Sequence, residues 1–156
     1  CIIEGMPAGV GEPVFDKLDA SLAKAVMSIG AVKGVEIGDG FSVTSSKGSI
    51  NNDSFISENG QVLKQTNHSG GILGGISDGS SIILRAAIKP TPSISQPQKT
   101  VNTAGENIEI AISGRHDPVI VPRAVVVVES MAAITLTDLL MQNMTSRIEY
   151  LKNIYL

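Results

Sequence analysis

From Pro122 to Leu151 the sequence carries an apolar pattern that an isolated element could not hold in water. Val125 to Val128 run without a break, and Met131, Ala132, Leu136, Leu139, Leu140 and Leu151 continue the series. The β-branched block favours a strand. Pro122 instead suits the first turn of a helix, where its missing N–H costs nothing. The length of the pattern decides for a helix over 122–150. A helix apolar on nearly all sides in its first half requires burial between layers or against a partner subunit, and that requirement makes an α/β fold the expected setting.

The other elements are read in the same way. From Asp16 onward Leu18, Leu22, Ala25, Val26 and Ile29 recur at helical spacing, and Gly30 provides a stop. Val32, Val35, Ile37 and Phe41 stand among glycines over 31–41, which predicts a strand whose backbone is approached closely. Residues 42–65 are polar and Ser/Asn-rich, and read as a variable surface loop. Ser81 to Ile88 form a buried strand that Lys89-Pro90 ends, and Pro90, Pro92 and Pro97 keep the following chain extended. Ile108, Ile110 and Ile112 alternate along a further strand over 107–113. With 42% hydrophobic and 17% charged residues among 156, one sizeable core is expected.

Composition excludes several classes. A net charge of -3 without a Lys/Arg block cannot track a nucleic-acid backbone. The single cysteine, Cys1, forms no internal disulfide, which fits a reducing cytoplasmic setting. No uninterrupted apolar stretch reaches the roughly 20 residues of a membrane span, and no leader is visible, so no membrane partner is expected. His68 and His116 are far apart and no second cysteine accompanies them, so no metal site is expected. The chain opens without Met inside an apparent strand, so a longer parent polypeptide is expected.

Three segments can carry chemistry. In Thr66 to Gly79, four glycines within six residues, Gly70, Gly71, Gly74 and Gly75, leave backbone amides open to a ligand. The order is neither that of a dinucleotide fingerprint nor of a P-loop, and a flexible turn is the alternative. Lys89-Pro90-Thr91-Pro92-Ser93 places one cation and two hydroxyls on a stiff chain able to hold a phosphate; a solvated proline-rich edge is the alternative. In Gly114-Arg115-His116-Asp117-Pro118, Arg115 can pair an anion and Asp117 can exchange a proton if both face one cavity. A surface Arg115/Asp117 pair is the alternative. His68 and His116 are each as readily structural as functional.

Taken in order, Pro7-Ala8-Gly9 to Leu18-Asp19-Ala20, Ala31 to Phe41, the Gly-rich run, Lys89 to Ser93, and Gly114 to Pro118 with Pro122-Arg123-Ala124 closely resemble the C-terminal part of chorismate synthase. The resemblance covers about residues 3 to 144. It implies a β-α-β sandwich fold, of which this chain is the C-terminal half, and a homotetrameric assembly. It also implies conversion of 5-enolpyruvylshikimate 3-phosphate to chorismate and phosphate by 1,4-elimination with reduced FMN, with NADP associated with the flavin chemistry. Carried over by position, Gly30, Ala31, Gly74, Lys89, Pro90, Thr91, Pro92, Ser93 and Arg115 fall where the family contacts FMN, and Asp117 where it has a proton acceptor near flavin N5. Gly30 departs from the Asn or Pro common there. The family's catalytic histidines lie in the half that precedes this sequence, so His68 and His116 are not assigned those roles. A non-catalytic ligand-binding or assembly module is the alternative.

Overall fold

Leu18, Leu22 and Val26, each four residues after the last, are fully buried and organise the structure. The computed structural model describes residues 1–115 and 117–155, the side chains of 154 and 155 excepted. In chain order its elements are β1 (Ile2–Ile3), α1 (Leu18–Met27), β2 (Val32–Ile37), a 3₁₀ turn (Gly40–Ser45) and α2 (Gly48–Asn51). The short strands β3 (Phe55–Glu58), β4 (Gln61–Lys64), β5 (Ile72–Leu73) and β6 (Ile76–Ser77) follow. Then come β7 (Ile82–Ile88), β8 (Gln98–Val101), β9 (Asn107–Ile110), α3 (Val121–Asn143) and α4 (Ile148–Tyr155).

The main sheet has the order β1-β7-β2, all antiparallel, with Glu36 opposite Arg85 and Ile37 opposite Leu84. Ile82 and Leu84 alternate inward along β7 onto Leu18, Leu22 and Val26 of α1. The same cluster takes in Val128, Ala132, Leu136 and Leu139 of α3, so a helix layer covers one face of the sheet. Burying each of the Leu, Ile and Val side chains contributes about 1.5–3 kcal/mol. The α/β expectation is met by this sheet layer and helix layer. On the opposite face Glu36 and Arg85 form a cross-strand ion pair at 3.1 Å.

Several expectations are corrected. The strand over 31–41 ends at Ile37, because Gly38 and Gly40 adopt left-handed φ of 58° and 55° and turn the chain into the 3₁₀ segment that holds Phe41. The loop over 42–65 contains α2 and the β3–β4 hairpin. The strand over 107–113 stops at Ile110 and pairs with β8, which the prolines before it had masked; among the described residues no layer covers it, and Ile108 and Ile110 are exposed. The helix over 122–150 is two helices. The hydroxyl of Thr145 donates to the carbonyl of Gln142 at 2.8 Å, a local bond that competes with continued helix.

The first half of α3 is also not buried all round. Its buried stripe is Val128, Ala132, Leu136 and Leu139, whereas Val125, Val126 and Ile134 are 51%, 59% and 64% exposed. Contrary to the reading from uninterrupted runs, this 23-residue helix is long and apolar enough to cross a membrane by length and composition. Glu129 and Asp138 break the run but not the average hydropathy, and the buried stripe of α3 packs on α1 in the core while its other faces stay exposed.

Candidate active site

Backbone pairing places the first group of candidate residues. The Lys89 amide donates to the Ala31 carbonyl at 2.9 Å, which continues the Val32–Ile88 register one step beyond the sheet. Ala31 holds a φ of 72°, a left-handed conformation uncommon for a residue with a Cβ. Gly30 beside it is exposed, and a Cβ built there meets nothing within 4 Å. The backbone of this corner is thus fixed while its outer side is open.

Beyond Lys89 the chain runs without regular structure to a bend at 95–96. Lys89, Pro90 and Pro92 are exposed, Thr91 and Ser93 are half-buried, and the Pro92 carbonyl accepts from Gln98 Nε2 at 2.9 Å. Thr91 Oγ1 is sealed from solvent yet has no hydrogen-bond partner among the described residues. A buried hydroxyl without a partner costs about 1–3 kcal/mol. Such a group suits a bound acceptor, and Lys89 stands two residues away to supply charge. Two proline-held hydroxyls, one lysine and an open backbone corner fit a phosphate-bearing ligand such as FMN.

The second group adjoins the same end of the fold. Val121, Ala124, Val125 and Val128 at the start of α3 face Ala86 and Ile88 of β7 across a cavity of about 160 Å³. Asp117 lies four residues before α3 and is tied to its first turn, with Arg123 Nη1 2.6 Å from Oδ2 and Nη2 donating to Oδ1 at 3.3 Å. The alternative of a surface Arg115/Asp117 pair is not what forms: the Asp117 carboxylate is paired with Arg123. Arg115 is exposed and makes no ion pair among the described residues. His116 lies outside the described residues.

Gly74 is separated from both groups. It forms the tip of the β5–β6 hairpin with φ of 61°, and open space lies where a Cβ would stand. The neighbouring Gly75 carbonyl accepts the Leu18 amide at 2.8 Å and so caps the start of α1, while Ala31 follows the end of that helix. A ten-residue helix puts about 15 Å between them.

The Gly-rich segment is not a flexible turn. Gly38 and Gly70 pack backbone to backbone: a Cβ on Gly38 would lie 2.2 Å from the His68 carbonyl, and one on Gly70 would lie 2.3 Å from the Gly38 nitrogen. His68 Nδ1 is 2.6 Å from Asp39 Oδ2, so this histidine fastens the segment to the turn after β2. Beneath it lies a buried polar cluster that sequence reasoning missed. Lys64 Nζ donates to Asp78 Oδ2 at 2.7 Å, Ser69 Oγ at 2.8 Å and Asn67 Oδ1 at 3.3 Å, and stands 3.2 Å from Asp53 Oδ2. Asp53 also accepts the His68 and Ser69 amides and the Thr66 hydroxyl.

These contacts set the electrostatics. Burial raises the Asp53 carboxyl, but the Ser69 and His68 amides and the Thr66 and Ser69 hydroxyls outweigh it and hold it well below its ordinary value of 3.8. Burial likewise raises Asp78, and Lys64 with the Ser80 amide and hydroxyl brings it below 3.8. The available signal was the polar spacing Asp53, Lys64, Asp78, which has no period in one dimension.

Comparison with known proteins places this arrangement. Residues 1–141 match the family described as chorismate synthase. The chorismate synthase of Lachnoclostridium phytofermentans is 69% identical over 156 residues, covering 99% of this chain and 42% of its own length. That of Methanococcoides burtonii is 62% identical over 135 residues, covering 86% of this chain and 37% of its own length. A chorismate synthase crystal structure superposes with a TM-score of 0.72 at 33% identity, covering 91% of this chain and 36% of that one. The chain spans about two fifths of the length of the curated relatives it matches. On this sequence match and shared fold, the chain belongs to the chorismate synthase family.

Proposed function

We propose that this chain forms the flavin-facing part of an enzyme that converts 5-enolpyruvylshikimate 3-phosphate to chorismate, and that the rest of the active site comes from outside these 156 residues. The observation that carries the reading is the sealed hydroxyl of Thr91, without a partner among the described residues, on the proline-stiffened segment beside Lys89. Its support is the family and the chemistry of the donor set. Lys89, Thr91 and Ser93 would hold the cofactor's anionic part, with Pro90 and Pro92 limiting the entropy lost on binding. Gly30, Ala31 and Gly74 would let it approach the backbone, and Arg115, which makes no ion pair among the described residues, would add positive charge. Reduced FMN, when bound, supplies electrons reversibly to the elimination and is not consumed overall.

In the net reaction the carbon–oxygen bond to phosphate breaks with its electron pair leaving on phosphate, a proton is lost, and a carbon–carbon double bond forms. Asp117 would accept that proton at a carboxylate oxygen, aimed by Arg123. Arg115 and Lys89 would stabilise the negative charge that grows on the departing phosphate. The exposed Val125, Val126 and Ile134 of α3 support coverage of that helix by further chain or another subunit, in keeping with a homotetramer. The lone free cysteine suits the reducing cytosol. NADP would enter only through the supply of reduced flavin.

The test uses the full-length polypeptide that carries this sequence, given reduced FMN and the enolpyruvyl substrate under anaerobic conditions. Chorismate and phosphate released in equal amounts are expected. FMN binding without turnover would leave only the reading of a non-catalytic ligand-binding module.

A further inference from the structure

We infer that Lys64 is a positioning residue for the cofactor site, acting through the Gly-rich segment; this rests on the proposal that Gly74 touches the flavin. Lys64 ends β4 in a stretch that reads from sequence as variable loop, yet its side chain is only 4% exposed. Hairpin pairing brings it there: Phe55 opposes Lys64, and the Gln65 amide donates to the Ser54 carbonyl at 2.9 Å, which sets Asp53 against Lys64 and Thr66.

The partners of Lys64 sit on both arms of the Gly-rich segment. Asn67 and Ser69 precede Gly70, and Asp78 follows the β5–β6 hairpin that carries Gly74. Asn67 strengthens the closure, since its Oδ1 accepts the Gly71 amide and its Nδ2 donates to the Ser81 carbonyl, both at 2.8 Å. One nitrogen therefore ties the entry of the segment to its exit. Six of the sixteen glycines fall between 60 and 79, and such a backbone has the most freedom to lose on ordering. The clamp removes that freedom before a ligand arrives, which lowers the cost of binding.

The role is distinct from general stability. Gly74 itself touches none of the cluster, and a Cβ on it would meet nothing within 4 Å. Loss of the clamp is expected to loosen the arms that carry the hairpin tip, which the Gly75 carbonyl also ties to the Leu18 amide, while the core residues Leu18, Leu22, Ile82 and Leu84 lie outside the Lys64 cluster. A double variant Lys64→Met/Asp53→Asn removes the cation together with one of its buried carboxylates, so that less charge is left uncompensated than in Lys64→Met alone.

The experiment compares wild type, Lys64→Met/Asp53→Asn and Gly74→Asn in the full-length polypeptide. It measures FMN dissociation constant, kcat at saturating FMN, and amide exchange of Ser69, Gly71 and Ser80. Asn tolerates the left-handed conformation at position 74, so Gly74→Asn adds bulk without breaking the hairpin. Expected for the double variant are faster exchange at those amides and FMN affinity weakened roughly tenfold, with a loss in kcat of only about twofold. Faster exchange with unchanged FMN affinity, while Gly74→Asn does weaken FMN, overturns the role of Lys64 and keeps the flavin contact. Unchanged affinity in Gly74→Asn overturns the flavin contact and the inference with it. Unchanged amide exchange in the double variant shows that Lys64 is not the clamp.

Discussion

Arg123 grips both carboxylate oxygens of Asp117, at 2.6 Å and 3.3 Å, and thereby fixes the candidate proton acceptor to the first turn of α3. The pair is largely exposed in this chain, so its contribution to folding is small, under about 1 kcal/mol. Its consequence is orientation. Asp117→Ala in the full-length polypeptide is expected to lower kcat by a factor of about 100 or more while FMN affinity changes little. Arg123→Ala is expected to lower kcat less, and the two losses should fall short of adding in the double variant. Steady-state turnover with a flavin titration checks both statements, and equal losses of FMN binding would contradict them.

Thr91 supplies a test that separates folding from binding. Its Oγ1 is sealed and has no partner among the described residues, so Thr91→Val removes a buried polar atom without opening a hole. Stability without FMN is expected to stay the same or rise by about 1 kcal/mol. FMN affinity is expected to fall roughly tenfold. Denaturant unfolding with and without FMN reads both. Lys89→Ala is expected to weaken FMN in the same assay while leaving unfolding without FMN unchanged.

Two glycines that look alike in the sequence are expected to behave oppositely. A Cβ on Gly38 would stand 2.2 Å from the His68 carbonyl with the backbone at φ of 58°, whereas one on Gly30 meets nothing within 4 Å. Gly38→Ala should cost about 3 kcal/mol or more, through strain and separation of the Gly-rich segment from β2. Gly30→Ala should stay within about 0.5 kcal/mol. Thermal unfolding of the two variants side by side decides this.

The buried cluster makes a statement about acid. Asp53 and Asp78 both have carboxyls depressed below their ordinary 3.8 in the folded state. Depressed carboxyls stabilise fully above the unfolded value near 4, and that contribution is lost as pH falls through the lower folded values. Stability is therefore expected to be flat from neutral pH to about 5 and to decline below about 4. Asp53→Asn should flatten the decline as well as lower the plateau. Unfolding followed across that range measures the slope.

How much of this was legible in one dimension follows from the range of the interactions. α1 showed itself because Leu18, Leu22 and Val26 bury at a fixed spacing, and β7 because Ile82 to Leu84 and Ala86 to Ile88 make an apolar run that Lys89-Pro90 ends, although only alternate residues of it turn inward. The Lys89–Ser93 and Arg115–Asp117 segments stood out because proline and clustered charge leave local marks. The Lys64 cluster left none: its residues come from 53, 64, 67, 69 and 78, and only the β3–β4 hairpin and the glycine turns make them neighbours. The partner of Asp117 was hidden for a similar reason. Arg115, two residues away, is nearer in sequence, but the first turn of α3 turns Arg123 back onto the carboxylate. The end of the long helix was obscured because the apolar pattern resumes after Thr145 and Ser146, whose hydroxyls favour a turn.

The most direct test of the whole account is a crystal structure of the full-length polypeptide bound to FMN. A flavin whose anionic part accepts a hydrogen bond from Thr91 Oγ1 beside Lys89, with the Asp117 carboxylate facing its ring, is the expected result. A flavin bound elsewhere, with Thr91 Oγ1 still sealed and unpartnered, would contradict it.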